Sequence, residues 1–215
     1  MRVIIPAAGT GSRWNNFRGT PKCLTIVEDE VLINRTIKQF RDFTDDIVII
    51  STDNINTHYD VQPPMFGNWN DAAKLYSSAH LWSSSSRNVI AFGDVWFSDD
   101  AIQTIVNNTD PIQFFLRPRA SKITGKKYKE IFAVAFDGGQ VEFVRNVLNK
   151  VIEENKKGPG AYLLYRKIRQ LDNKRVQDHF KNKSDYVEID DWTEDFDHPH
   201  DLEIWEKKRL KFGAK

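Results

Sequence analysis

What the sequence lacks narrows the possibilities first. It has one cysteine, Cys23, in 215 residues, so no internal disulfide framework can brace it, and this usage suits a reducing compartment. No stretch approaches the roughly 20 consecutive apolar residues of a membrane-spanning helix, and no basic segment leads into a long apolar one at the N-terminus. A cytoplasmic protein without a membrane partner is expected. The formal net charge is +1, so the overall balance points to no nucleic-acid partner. Internal repeats are absent, and the serine run Ser83 to Ser86 reads as a solvated loop. Cys23 itself reads as a small buried filler rather than a nucleophile.

What is present suits a single compact domain: 40% of the residues are hydrophobic, enough for one substantial core. Apolar strands alternate with amphipathic helices. After an opening strand from Val3, Leu32, Ile33, Thr36, Ile37, Phe40 and Phe43 fall at helical spacing, and Asp46 to Ser51 is a continuous run of strand length. A helix over Asp71 to Trp82, a strand over Asn88 to Phe92, a helix near Asp99 to Asn107 and a strand over Ile112 to Leu116 continue the pattern. Such alternation predicts a mainly parallel sheet covered on both faces.

Beyond Leu116 the pattern changes. Glu130 to Val144 reads as two strands joined by a turn at Asp137-Gly138-Gly139, an antiparallel hairpin. Helices are expected over Arg145 to Asn155 and Ala161 to Leu171, parted by the breaker Gly158-Pro159-Gly160. A late strand at Tyr186 to Ile189 and a closing helix over Pro199 to Leu210 complete the chain, with Pro199 suited to a first helical turn and Asp201 to its positive end.

The opening strand runs into Ala7-Ala8-Gly9-Thr10-Gly11-Ser12-Arg13, followed after a spacer by Pro21-Lys22. Small residues let a backbone approach a bulky ligand, and successive amide N–H groups can wrap an anion. A dinucleotide fingerprint would need a third glycine where Trp14 stands, and a Walker loop would need Gly-Lys-Ser/Thr. What the loop fits, position by position, is the signature Ala-Ala-Gly-x-Gly-x-Arg followed by Pro-Lys. On that motif the chain resembles the nucleoside-triphosphate transferase family that makes activated sugars and phospho-alcohols. Two further matches stand in the family's order: Asp94 at the end of the strand in NVIAFGDVWF, and Asp197 within Asp195-Phe196-Asp197-His198-Pro199-His200-Asp201-Leu202.

The resemblance implies a Rossmann-like three-layer α/β/α fold with a mainly parallel mixed sheet and a small inserted β-hairpin lobe. It implies one nucleotidyltransferase domain over residues 1–215, with about 117–185 on the acceptor side. It implies that Ala7, Ala8, Gly9, Thr10, Gly11, Ser12, Arg13 and Lys22 hold a nucleoside triphosphate, with Arg13 and Lys22 also catalytic. Asp94 and Asp197 would carry Mg2+. In relatives a motif like Asn-x-x-Ser-Leu helps hold the base; Asn70 and Asp71 occupy that place here, with Lys74 at the serine position. The partners would be a nucleoside triphosphate and a phosphorylated small-molecule acceptor, with CTP favoured because small members of the family often use it.

The chemistry suits those residue types. Attack on an α-phosphorus with departure of pyrophosphate crowds negative charge into a small volume, and Mg2+ takes carboxylate and phosphate oxygens. Arginine meets phosphate through its fork and lysine as a point charge. A glycosyltransferase of related fold, or a binding module without chemistry, are the alternatives; the first would normally show a paired Asp-x-Asp where Gly93-Asp94-Val95-Trp96 has one acid. His198 and His200 lack a usual metal spacing. The basic cluster Arg117, Arg119, Lys122, Lys126, Lys127 and Lys129 reads equally as a phosphate-attracting lid or a solvated loop. Trp69, Trp96 and Phe97, near the proposed centre, read as core aromatics before base-stacking ones.

Overall fold

The computed structural model describes residues 1–9, 11–52, 59–64, 75–154 and 160–212. Its main sheet has seven strands: β1 (Arg2–Pro6), β4 (Ile47–Ile50), β5 (Asp60–Gln62), β6 (Asn88–Ala91), β8 (Ile112–Arg117), β9 (Glu130–Phe136) and β10 (Val187–Glu188). They lie in the order β10-β8-β9-β6-β1-β4-β5. β9 runs antiparallel to both its neighbours, β6 and β8, and the other pairings in this sheet are parallel. Two small antiparallel pairs stand apart, β2 (Ile26–Val27) with β3 (Glu30–Val31) and β7 (Val95–Trp96) with β11 (Glu194–Asp195).

Alternation along the strands divides the core. Val3, Ile5, Ile47, Ile49, Val89 and Ala91 meet one layer, against α1 (Leu32–Arg41) and α2 (Asp99–Asn107). Ile4, Ile50, Ile90, Phe114 and Val134 meet the opposite layer, against α3 (Val141–Glu153) and α4 (Gly160–Ile168). Both faces of the sheet are therefore covered, which is why the strands read as unbroken apolar runs. A third cluster, built on Trp14, Val27, Leu32, Trp96, Phe196, Leu202 and Trp205, packs α5 (Pro199–Phe212) across the start of the chain. Trp96 and Phe97 are fully buried, as core aromatics; Trp69 lies outside the described residues. Among those residues no helix is long and apolar enough to cross a membrane.

The three-layer architecture is the expected one, but the hairpin at Glu130 to Val144 is not formed. Only Glu130–Phe136 is a strand; Gly138–Gln140 make a short 3-10 turn, and Val141 opens a helix. The reason is periodicity: Val141, Val144, Leu148 and Val151 share a helical stripe and are all buried, while Phe143, which a strand would pair with Val141, is largely exposed. The antiparallel partners of β9 are instead β6 and β8, the latter joined to it through the connection 118–129. The expected helix over Asp71 to Trp82 lies partly outside the described residues; Leu75 and Tyr76 are helical, and Ala79–Leu81 form a 3-10 turn.

Gly138 is fixed by space. A Cβ there would lie 2.4 Å from the Ser84 carbonyl oxygen, part of the backbone of the serine turn. Gly138→Ala should therefore cost about 1–3 kcal/mol, the usual range for overpacking, read as a lower urea midpoint with unchanged slope; an unchanged midpoint would contradict this contact.

Candidate functional site

The loop after β1 begins where the sheet ends. The Ala7 N–H is already spent on the Ile50 carbonyl at 2.7 Å, so Ala7 extends the sheet rather than offering its amide to a ligand. Beyond it, the N–H groups of Gly9, Gly11 and Ser12 meet no acceptor among the described residues. Gly11 has φ +55, a left-handed conformation that suits glycine, and its carbonyl accepts from Trp14 at 2.7 Å. Buried Trp14 then ties the loop to the third core cluster. Thr10, Asn70 and Asp71 lie outside the described residues.

Gly93 brings the second segment in. Its N–H donates to the Pro6 carbonyl at 3.0 Å, and a Cβ would meet Pro6 oxygen and the Ala7 Cβ at 3.0 Å. This close approach sets Asp94 beside the loop. Immediately after it, β7 pairs with β11 so that Val95 faces Asp195. The chain's last acidic motif is thereby zipped onto its middle. Downstream, the Asp201 carboxylate accepts from the His198 N–H at 2.9 Å, half of a capping box that starts α5 directly after Asp197.

These constraints converge on a knot of opposite charges. Lys22, in a 3-10 turn after Pro21, places its Nζ 2.7 Å from Asp94 Oδ2 and 3.1 Å from Asp195 Oδ1. Arg13 lies 2.6 Å from Asp197 Oδ1, with its side chain 60% exposed. Lys126, its side chain only 5% exposed, reaches Glu130 at 3.0 Å, Asp195 at 3.3 Å and Asp197 at 2.8 Å. Burial alone would lower the Lys22 and Lys126 values, but Asp195 together with Asp94 at Lys22 and with Glu130 at Lys126 outweighs it and holds both ammonium groups charged. Burial would likewise raise Asp195, and Lys22 and Lys126 overcome it to hold the carboxyl below its usual range. Glu130 goes the other way: burial and Asp195 push it up to about 7 against the pull of Lys126.

Two cavities meet here. A small one of about 140 Å³ is lined by Ala7, Gly9, Gly11, Ser12, Arg13, Lys22, Asp94 and Asp197, among others. A larger one, about 680 Å³, shares Gly9, Arg13, Asp94 and Asp197 and runs on past Lys127, Lys129, Tyr162 and Phe180. Arg13, Lys22, Asp94 and Asp197 are thus brought to one place, and Ala8 lines the larger cavity. Cys23 lines the small one but is buried.

Asp195, Glu130 and Lys126 are the members that reading the sequence missed. Asp195 stood within the quoted motif, two residues from Asp197. Lys126 was hidden in a basic stretch of which Lys122 and Lys127 are exposed, while Lys126 itself is drawn inward. The anchor for this inward turn is Glu194, fully buried, which pairs with buried Arg117 at 2.7 Å and accepts from Ser121 and Thr124.

Neither a protein-family model nor a curated protein matches the chain. Solved structures match it over nearly its full length. One is a CTP:phosphocholine cytidylyltransferase from Streptococcus pneumoniae, 16% identical, with 96% of this chain and 98% of that one covered at a TM-score of 0.63. Another is 2-C-methyl-D-erythritol 4-phosphate cytidylyltransferase from Thermus thermophilus, 14% identical, with 97% and 98% covered at 0.60. A third is the inositol-1-phosphate CTP transferase from T. maritima, 12% identical, with 97% and 96% covered at 0.60. The three-layer α/β/α fold anticipated from the motifs, though not its hairpin lobe, is therefore the fold of this chain, and it is one that these nucleotidyltransferases share.

The site residues differ in what they do for stability. Lys22→Met takes from buried Asp195 one of its two cations and from Asp94 its ammonium partner, and should cost about 3 kcal/mol, the lower end for breaking a buried pair, because Lys126 still serves Asp195. Asp94→Ala, at a 41% exposed side chain whose loss leaves Lys22 paired with Asp195, should cost about 1 kcal/mol or less. Urea denaturation of the two variants reads the difference; equal losses would contradict this burial.

Proposed function

We propose that this protein is a metal-dependent nucleotidyltransferase that joins a nucleoside triphosphate, CTP in preference, to a sugar 1-phosphate or a small phospho-alcohol, and releases pyrophosphate. The observation that carries this reading is Lys22, whose ammonium links the acid after β6 to the acid before α5 at the floor of a glycine-rich loop. A buried, charged lysine aimed into an anion-sized cavity is matched to phosphate, and the fold shared with solved nucleotidyltransferases gives that phosphate a reaction.

In this reading the amides of Gly9, Gly11 and Ser12, with Thr10 between them, cradle the β- and γ-phosphates. Arg13 swings from Asp197 to the triphosphate; its exposure makes it the most easily displaced partner in the cluster. Lys22 stays at the α-phosphate, where charge builds as the acceptor oxygen enters and pyrophosphate leaves. The acceptor approaches from the larger cavity, whose wall comes from Lys127 to Ile131 and Gly160 to Tyr162, with Val176 and Phe180. These lie within residues 117–185, the proposed acceptor side. Asn70 and Asp71 are proposed to contact the base. No general base is required, because a phosphate acceptor is already ionised at neutral pH and catalysis reduces to positioning and electrostatics.

The donor set fits a hard divalent cation: Asp94 and Asp197 are carboxylates that line both cavities, and Mg2+ takes carboxylates together with substrate phosphates. When bound, the ion would polarise the α-phosphate and neutralise the departing pyrophosphate.

The test is a matrix of CTP, UTP, dTTP, ATP and GTP against sugar 1-phosphates, phosphocholine and related phospho-alcohols, read by pyrophosphate release. At least one pair should release pyrophosphate only when triphosphate, Mg2+ and acceptor are all present; a nucleoside diphosphate released from a nucleotide sugar would contradict the assignment. With the active pair, Asp94→Ala and Lys22→Ala should each lower kcat/KM by about 10²-fold or more, the scale for losing a group that meets transition-state charge. Near-normal turnover by folded Asp94→Ala would sink its metal role.

A further inference from the structure

Among the described residues, one group of acids is close enough to share a cation: single carboxylate oxygens of Glu130, Asp195 and Asp197 lie within 4.8 Å of one another. In geometry alone this triad resembles a seat for a divalent ion. Yet the Nζ of Lys126 stands among the three, 3.0 Å from Glu130 Oε1, 3.3 Å from Asp195 Oδ2 and 2.8 Å from Asp197 Oδ2, and it also donates to the Asp195 carbonyl at 3.0 Å. The remaining oxygens of the two aspartates are engaged as well, Asp195 Oδ1 by Lys22 and Asp197 Oδ1 by Arg13.

Lys126 is held there by the fold. It follows Gly125, whose φ of +76 turns the chain, and the turn is tied by Ser121, whose N–H donates to the Lys126 carbonyl at 2.8 Å and whose Oγ accepts from Ile123 and Thr124. Ser121 is in turn pinned to the buried Glu194, one residue before Asp195. The lysine and the acids it serves thus share one anchor. Its neighbours Lys122 and Lys127, by contrast, reach solvent.

We infer that Lys126 is a built-in cation that fills the Glu130–Asp195–Asp197 triad in place of a metal ion, confining any divalent ion to Asp94 and the outer oxygen of Asp197, Oδ1. The distinction matters chemically. A lysine at this position gives fixed positive charge beneath the reacting phosphates without a second ion to be recruited, and it leaves to a metal arriving with the nucleotide the half-exposed Asp94, paired with Lys22 through Oδ2, and Asp197 Oδ1 once Arg13 has moved to the triphosphate.

Counting Mn2+ on the purified full chain by electron paramagnetic resonance, with no nucleotide added, tests this. Lys126→Ala should bind one more Mn2+ per chain than the wild type, whereas Lys126→Arg should bind the same number as the wild type. Failure of Lys126→Ala to gain a site would overturn the inference. If that variant does not fold, the wild type decides: acetylation of lysines read by mass spectrometry should find Lys126 protected relative to Lys122 and Lys127, both without and with saturating Mg2+. Labelling of Lys126 once Mg2+ is added would mean that the metal displaces it, which also overturns the inference. The catalytic meaning given to Lys126 rests on the nucleotidyl-transfer reading, but the two fail separately: a gain of one site in Lys126→Ala stands even if no acceptor ever yields pyrophosphate.

Discussion

The structure turns on the neutralisation of carboxylates that cannot avoid one another. Asp94 ends the segment that Gly93 presses against β1, and β7 pairing with β11 sets Asp195 beside it. Left alone, two acids in such a place would repel and one would take up a proton. Lys22 removes the conflict by standing between them at 2.7 and 3.1 Å. The first 22 residues, the middle of the sheet and the segment before α5 are therefore bound to one ammonium group. Lys126 stands likewise among Glu130, Asp195 and Asp197, and the more exposed Arg13 pairs with Asp197. The inner cations are buried among several acids, while the outer one is exposed; on the proposed reaction it is the one that exchanges a carboxylate for a phosphate.

This arrangement also explains why the small residues of the loop sit where they do. Gly11 takes a left-handed turn so that Trp14 can sink into the third core cluster, which locks the far end of the loop. Its near end is locked by the Ala7 to Ile50 hydrogen bond. Between the two fixed ends, Gly9, Gly11 and Ser12 line the small cavity together with Lys22. On the proposed reaction, most of the organisation that the transition state needs is present before substrate arrives, as electrostatic preorganisation requires.

Much of this was legible in the sequence, and the rest was not for identifiable reasons. Buried strands such as Ile47–Ile50 and Asn88–Ala91 announce themselves as continuous apolar runs. Arg13, Lys22, Asp94 and Asp197 were legible as a group because they match the signature of the family that the chain resembles, and the four line one cavity. The hairpin at Glu130 to Val144 failed because Asp137-Gly138-Gly139 carries a turn's composition, while the glycine is there to clear the Ser84 backbone; the helical stripe from Val141 onward held the better signal. Lys126 and Glu130 had no local signal. Their roles come from a connection between β8 and β9 folding back on Glu194, 68 residues beyond Lys126 in the chain, a tertiary contact that no window of sequence contains.

The claim on which the rest depends is that the triphosphate opens between its α- and β-phosphates under attack by a phosphorylated acceptor. Running the reaction with [α-32P]CTP and with [γ-32P]CTP in parallel, or with whichever triphosphate proves active, measures this directly. The account predicts that the α label appears in the acceptor-bound product and the γ label in pyrophosphate. Transfer of the γ label to the acceptor, or its release as orthophosphate, would contradict it.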